Sequence, residues 1–476
     1  MMKKIFIISV CIFFVLRFIG CGLEKQDDIH IVYSKENSYY EFIGDKPENQ
    51  LPEDVEEIKM IDSDGIVYYE NTEQKLCEYN SKKSNKATII EDTNLDIHMK
   101  NLKVLKSKDK KKVIFQTEPN NELIEINGMT SDRLGIEYQE NNIIYLKEEG
   151  KEPIKLSEDG KVYGITDEND IIYNDNGKLI ILNNNNEKKV ITDEHLINIL
   201  FDNTYNTLLY SIKNKEKNET LYVWDIKNNK SSKIIELENG ISYIEGYTLK
   251  MLSKSRITFS IFNLKGNKLS INVADLNGNI TEIISGDNHE LQALSASQYK
   301  NDVEDNKLEF NKIYYTKKEE MKKNKSKNEV LYCYDINSKT ITQICENVKN
   351  QLVYPDRIYC INQTEDNYEV VEIMNNNSKK IIAHRDKYSK TGTNLPVIIG
   401  DGIFDIRDNA IYKDDDLIVD NIDIDKIVYD ENIIYFKKDN KLNIITKDGK
   451  IKEILNDTSK VKNMYSINKD LSDIVK

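Results

Sequence analysis

Several residue types and patterns are scarce in this chain, and each shortage excludes something. Of 476 residues only one is tryptophan and five are histidine, and the histidines His30, His98, His195, His289 and His384 stand singly. No H-E-x-x-H helix, Gly-rich phosphate loop or G-x-S-x-G elbow is present, so no linear catalytic motif can be read. Positive charge is also short: a net charge of -14 argues against nucleic acid as a partner, because phosphate neutralisation needs a basic surface. Long helical periodicity is hard to find. Cysteine is sparse, and beyond Cys11 and Cys21 the chain holds Cys77, Cys333, Cys345 and Cys360. The spacings of 12 and then 15 residues among the last three match no zinc pattern. We read these as buried free thiols, with a disulfide as the alternative in an exported protein.

The N-terminus has the layout of an export signal. Lys3 and Lys4 form a short positive region, Ile5 to Leu16 an apolar run, and Gly20 precedes Cys21. Even extended to Ile19 the run is about fifteen residues, short of the ~20 that a spanning helix needs. Phe18-Ile19-Gly20-Cys21 resembles the lipobox of bacterial lipoproteins. It departs from that pattern in Phe18, where Leu is usual, and in the charge of Arg17. The resemblance implies cleavage before Cys21, lipidation of Cys21, and a protein held at the outer face of the cytoplasmic membrane. Two acyl chains give stable anchoring where one is marginal. An uncleaved anchor and a structural cysteine are the alternatives. The expected organisation is a signal peptide at 1–20, a tether at 21–28 and a β domain at 29–476.

What the chain has in abundance is a recurring strand. An apolar run ending in an aromatic follows an Asp/Asn-Gly or Asp/Asn-rich turn at Gly65–Tyr69, Val113–Phe115, Asn142–Tyr145, Asp170–Tyr173 and Leu208–Tyr210. It returns at Ile257–Phe259, Lys312–Tyr315, Arg357–Tyr359, Gly402–Phe404 and Asn432–Tyr435, at spacings of about 28 to 56 residues. Second and third strands follow, clearest in Leu221–Leu237, Ile271–Ile284, Leu331–Ile344 and Leu442–Leu455. An Asp or Asn at the strand end suits an Asx-turn, and Asn277-Gly278 and Asp448-Gly449 suit tight hairpins.

Short β units at this period predict an all-β fold, a β-propeller of about seven or eight four-stranded blades. That count treats the closely spaced copies at Ile143 and Ile171, and at Ile403 and Ile433, as two strands of one blade each. Two smaller β domains are the competing architecture. Either Ile29–Gly44 or Val461–Asn468 is expected to complete a blade begun at the other end of the chain. The cadence of Ile-Tyr-Tyr, Leu-Tyr-x-x-Asp and Ile-Thr-x-Ile, from about Ile29 to Leu455, resembles TolB-like propellers and the Tyr-rich propeller lipoproteins of Gram-positive bacteria. The solitary Trp224-Asp225 does not meet the WD-repeat signature.

Three segments are candidates for function. Residues 286–306 form an insert, partly helical by its pattern, that could carry binding. The acidic run Lys413–Glu431 places Asn421, Asp423 and Asp425 at alternate positions, as in a calcium loop. Lys426, where Gly is required, and Asn432, where Glu is required, favour a solvated edge strand instead. The basic clusters Lys103–Lys112 and Lys317–Lys327 are placed between strands, the second as a hairpin tip. No catalytic, cofactor or metal residue is assigned. The expected function is a tethered, non-catalytic binding or scaffolding module for a protein or cell-wall glycan partner. The rival is a carbohydrate-active hydrolase or lyase with its site at the propeller's central channel.

Overall fold

The computed structural model describes residues 29–475 apart from 37, 45–46, 81–82, 84, 91–100, 119–141, 203–205, 294–311, 321–326, 354–356, 375–377, 387–393, 400–401, 414–415, 430–431 and 468. The expected signal peptide and tether, with Cys21, lie outside the described residues. So do His98 and the part of the expected insert from 294 to 306, while the first part of that insert, 286–293, ends one strand (Ile280–Asp287) and forms another (Leu291–Ala293).

The described residues fold into ten antiparallel sheets, nine of four strands and one of five. The fold is an all-β propeller, and its blades number ten rather than seven or eight. We number them by first appearance. Blade 1 holds His30–Lys35, Ser38–Ile43 and Asn49–Gln50, joined by Val461–Ser466 and Lys469–Asp470 from the far end of the sequence. Blades 2 to 10 start at Val55, Asn101, Gly160, His195, Ser242, Leu291, Val348, Val397 and Ile427.

The count differs because spacing misidentified which copies share a blade. Ile143–Glu148 and Ile171–Asp175 belong to blades 3 and 4, and Gly402–Arg407 and Ile433–Lys438 to blades 9 and 10. The pair that does share a blade is Lys112–Glu118 with Ile143–Glu148, in register through Phe115 and Tyr145.

Two compact units divide the chain. One combines Met1–Asp96 with Asp425–Lys476 and holds blades 1, 2 and 10; the other, Ile97–Ile424, holds blades 3 to 9. Within the first unit the expected completion of a blade is found: His30–Lys35 pairs with Val461–Ser466, matching Ile31 to Ser466 and Tyr33 to Met464.

Packing between consecutive blades explains the recurring strand. It is the second strand of its blade in nine of the ten copies, and blade interfaces bury both of its faces, so it reads as a continuous apolar run. Ile171, Ile172 and Tyr173 are all fully buried: Ile171 and Tyr173 pack toward blade 3, and Ile172 toward blade 5. Burying each such side chain contributes about 1.5–3 kcal/mol. In some copies the tyrosine hydroxyl finds a polar partner, as Tyr68 does in Asp62 at 2.9 Å and Tyr359 in Glu372 at 3.1 Å.

Two local devices recur with the blades. The first is a turn in which a strand-ending side chain accepts backbone N–H bonds and a later residue takes positive φ. Asp275 accepts from Asn277 and Asn279, with Gly278 at φ 86°; Asn183 accepts from Asn185 and Glu187, with Asn186 at φ 63°. The second is a β-bulge between third and fourth strands, present in each of blades 2 to 10. Bulges twist an edge strand away from further pairing. These fourth strands expose single aliphatic residues such as Val190, Ile341 and Ile381, with lysines beside Val190 and Ile381 that oppose edge-to-edge association.

Candidate functional site

Four turns of blades 3 and 4 are bound to one another and form the best-built polar surface of the second unit. They are residues 107–111, 148–152, 166–170 and 183–187. The first, third and fourth are framed by a side chain of their own. Ser107 Oγ accepts from Lys112 N at 2.9 Å and donates to Asp109 at 2.7 Å, and Thr166 Oγ1 accepts from Asp170 N at 3.0 Å. Lys110, Asn169 and Asn186 take the left-handed conformation that closes the first, third and fourth turns. Asn tolerates that conformation better than most residues, which accounts for part of the asparagine in these loops.

Two bonds between the blades and one within blade 4 then fix one turn against another. Asn169 Nδ2 donates to Asp109 Oδ2 at 3.1 Å, Asn186 Nδ2 to Glu148 Oε1 at 3.0 Å, and Asn184 N to Asp170 Oδ1 at 2.9 Å. Lys112 lies beneath them with its side chain 6% exposed, donating to Asn184 O at 3.2 Å and lying 3.8 Å from Glu148. Burial pushes the Lys112 amine below its usual range despite the nearby carboxylates, and pushes the Asp170 carboxyl above its own. A hydrogen bond from Lys151 holds Glu148 low. At the exposed rim Lys108 and Asp167 lie 3.6 Å apart. The result is a pre-ordered array of amide, carboxylate and ammonium groups on short loops.

The segments singled out from the sequence fare differently. In the first basic cluster, Lys103–Lys106 lies within Asn101–Lys106 and Lys112 opens Lys112–Glu118, so only Ser107–Lys111 is a loop, not the whole cluster. In the second, Glu320 pairs with Lys327 in a hairpin ladder, and the intervening 321–326 is outside the described residues. The acidic run is not an edge strand through its centre: Asn421 has φ 53° and Ile424–Lys426 is a 3-10 turn. Its alternating Ile422 and Ile424 do not reflect strand alternation, because Ile422 turns into the core to 3% exposure. Among the described residues no group of three or more His, Cys, Asp or Glu is placed to hold a metal.

The remaining buried charges tie neighbouring strands or blades together. Glu219 in blade 5 accepts from Ile244 N in blade 6 at 2.9 Å, from Ser211 at 2.7 Å and from Asn198 at 3.1 Å. Arg385 of blade 8 pairs with Asp405 of blade 9, which also lies 3.1 Å from Arg407. His30, buried, lies 3.2 Å from Glu41, which accepts from Asn49 at 2.9 Å. His195 and His289 are exposed, and His384 lies 4.0 Å from Glu369. None of the tying residues stood out in the sequence, because an isolated polar residue in a strand looks the same whether it faces water or a neighbouring blade. Cys77, Cys333, Cys345 and Cys360 are buried free thiols, as expected.

No family model matches the chain, and no curated protein matches it in sequence. Solved structures are among those similar to it. The propeller domain of the Trilobed protease from Pyrococcus furiosus is 13% identical, with 75% of this chain and 98% of that one covered and a TM-score of 0.33. TolB from Acinetobacter baumannii is 13% identical, with 84% and 78% covered and a TM-score of 0.26. The tricorn protease is 8% identical, with 93% of this chain covered and a TM-score of 0.33; the match spans 56% of that protein's length. A match to a prolyl endopeptidase likewise spans 55% of that enzyme.

Proposed function

We propose that this chain is a non-catalytic binding or scaffolding module, tethered through Cys21 at the outer face of the cytoplasmic membrane, for a protein or cell-wall glycan partner. The observation that carries the binding role is the four-turn surface of blades 3 and 4. Its loops are ordered before any partner arrives, so binding there forgoes most of the ordering cost that flexible loops incur. Loops on a rigid sheet scaffold are a common location for recognition. Asn184, Asn185, Asp109, Lys108 and Asp167 offer donors and acceptors of both charge signs. This suits a polar protein surface or a hydroxyl-rich glycan better than a polyanion.

The tether rests on the lipobox-like Phe18–Cys21 and is tested separately. Cells producing wild type or Cys21→Ser are fractionated, and intact mass is measured on the membrane-bound protein. A membrane-bound wild type with a lipid-sized mass increase and a released Cys21→Ser protein are the expected results. Retention of Cys21→Ser in the membrane would remove lipidation from the account and favour an uncleaved anchor.

A further inference from the structure

Two thiols on different blades meet inside the second unit. Cys345 ends Thr340–Cys345, the fourth strand of blade 7, and Cys360 lies in Arg357–Gln363, the second strand of blade 8. Both belong to the apolar cluster that packs these blades together, at 4% and 0% exposure. Their sulfurs are within hydrogen-bonding reach of each other. The chain between them turns at Glu346 and Asn347, runs through Val348–Val353 and returns, with Gln351 opposite Cys360 in the ladder. A bond between the sulfurs would close a loop of 15 residues, counted from Cys345 to Cys360, and pin one blade to the next.

We propose that Cys345 and Cys360 are a disulfide-forming pair, joined when the chain folds in an oxidising compartment. The chemistry is thiol–disulfide exchange with an external disulfide, either a small molecule or an oxidised dithiol protein. One of the two, as its thiolate, attacks one sulfur of that disulfide and expels the other as a thiolate. The second, deprotonated, then attacks the now-bonded protein sulfur and expels the remaining external thiolate. Two thiols and one external disulfide thus become one internal disulfide and two external thiols, and the two protein protons pass to the leaving thiolates.

In the folded chain the two thiols differ. A hydrogen bond from Cys360 holds the Cys345 thiol below the usual thiol range, while that same bond together with burial raises Cys360 well above it. Cys333, in the same cluster, is pushed up to about 11 by burial. Since both members of the pair are buried in the folded chain, exchange belongs to the folding stage rather than to the finished protein.

The bond is proposed to form in the exported protein, which rests on the location given above, but the capacity of the pair is testable without export. Full-length reduced chain is refolded in a mixture of reduced and oxidised glutathione, denatured, alkylated with N-ethylmaleimide and digested with trypsin. The expected product is a linked pair of peptides, 340–349 with 358–379, with Cys77 and Cys333 alkylated. In a parallel arm the folded, reduced chain meets the same glutathione mixture and forms the link at least tenfold more slowly. Cys360→Ala and Cys345→Ala each abolish the link, and Cys333→Ala leaves it intact. Alkylation of both Cys345 and Cys360 after refolding, or a link through Cys333 or Cys77, would overturn the proposal; the wild-type peptide map decides this even if a variant fails to fold. The same map on protein from the membrane fraction tests location: linked peptides after refolding but free thiols in cells would sink the oxidising compartment and leave the pair's chemistry standing.

Discussion

Glu219→Ala removes the strongest tie between blades 5 and 6. The carboxylate is 4% exposed and accepts three hydrogen bonds, from Ile244 N, Ser211 Oγ and Asn198 Nδ2. Asn198 keeps other acceptors, Ser211 Oγ at 3.0 Å and Ile244 O at 3.4 Å, so its amide is not orphaned. The Ile244 N–H and the Ser211 hydroxyl do lose their acceptor inside a packed interface. Each orphaned buried donor costs about 1–3 kcal/mol, which with the lost charge-assisted bonds gives about 3–5 kcal/mol. Glu219→Gln keeps the shape but presents an N–H₂ to one of the two donors, and should cost about half as much. Glu216→Ala, exposed on the same hairpin, is the control and should change little. The assay is amide hydrogen exchange, read at Ile244 and at the fully buried Leu221 beside it, with urea unfolding in parallel. At about 1.4 kcal/mol per tenfold, exchange at Ile244 should rise by roughly two to three and a half orders of magnitude in the alanine variant. Unchanged exchange at Ile244 in Glu219→Ala would refute the claim that this carboxylate joins the blades.

Three further outcomes are expected. Gly246 has no room for a methyl, since a Cβ there would sit 1.9 Å from Asn198 Oδ1; Gly246→Ala should destabilise, and Asn198→Ala should be less harmful in its presence than alone, a coupling read by a double-mutant cycle. Lys250 is 5% exposed and burial lowers its amine to about 8, so the unfolded chain binds more protons than the folded one above that pH. Stability should therefore rise between about pH 8 and 10 by at most ~3 kcal/mol, and Lys250→Met should flatten that rise in urea titrations. Deleting Val461–Lys476 strips His30–Lys35 of its pairing partner and should lower the unfolding midpoint of the first unit; an unchanged midpoint would count against the terminal pairing as a source of stability.

How far the sequence could be read depends on which residues carried the signal. The second strand was plain because both its faces are buried, leaving runs such as Ile171-Ile172-Tyr173 with no polar interruption. The hairpin at Asp275 was plain because Asn277-Gly278 supplies the only residue type that takes positive φ without strain. The number of blades was obscured by uneven spacing. Residues 119–141 separate two adjacent strands of blade 3, so Val113–Phe115 and Ile143–Tyr145 look like separate repeats. Blade 9 has strands of three to six residues, which brings Gly402 and Asn432 close enough to look like one unit. In blade 1 the copy of the strand, His30–Lys35, precedes the expected run and is completed from the other end of the chain. The four-turn surface was the least legible. Its turns lie up to 80 residues apart, between 107 and 187, and Asn, Asp and Lys in a turn look alike whether they face water or another loop.

Binding through that surface is the central claim, and site-specific photocrosslinking on intact cells tests it most directly. A photoreactive residue is placed at Lys108 or Asn185 on the turns, and at Val190 or Ile341 on exposed fourth strands as controls. The account predicts a reproducible adduct from the turn positions that is absent from the strand positions. Adducts of equal yield from all four positions, or from the strand positions alone, would contradict it.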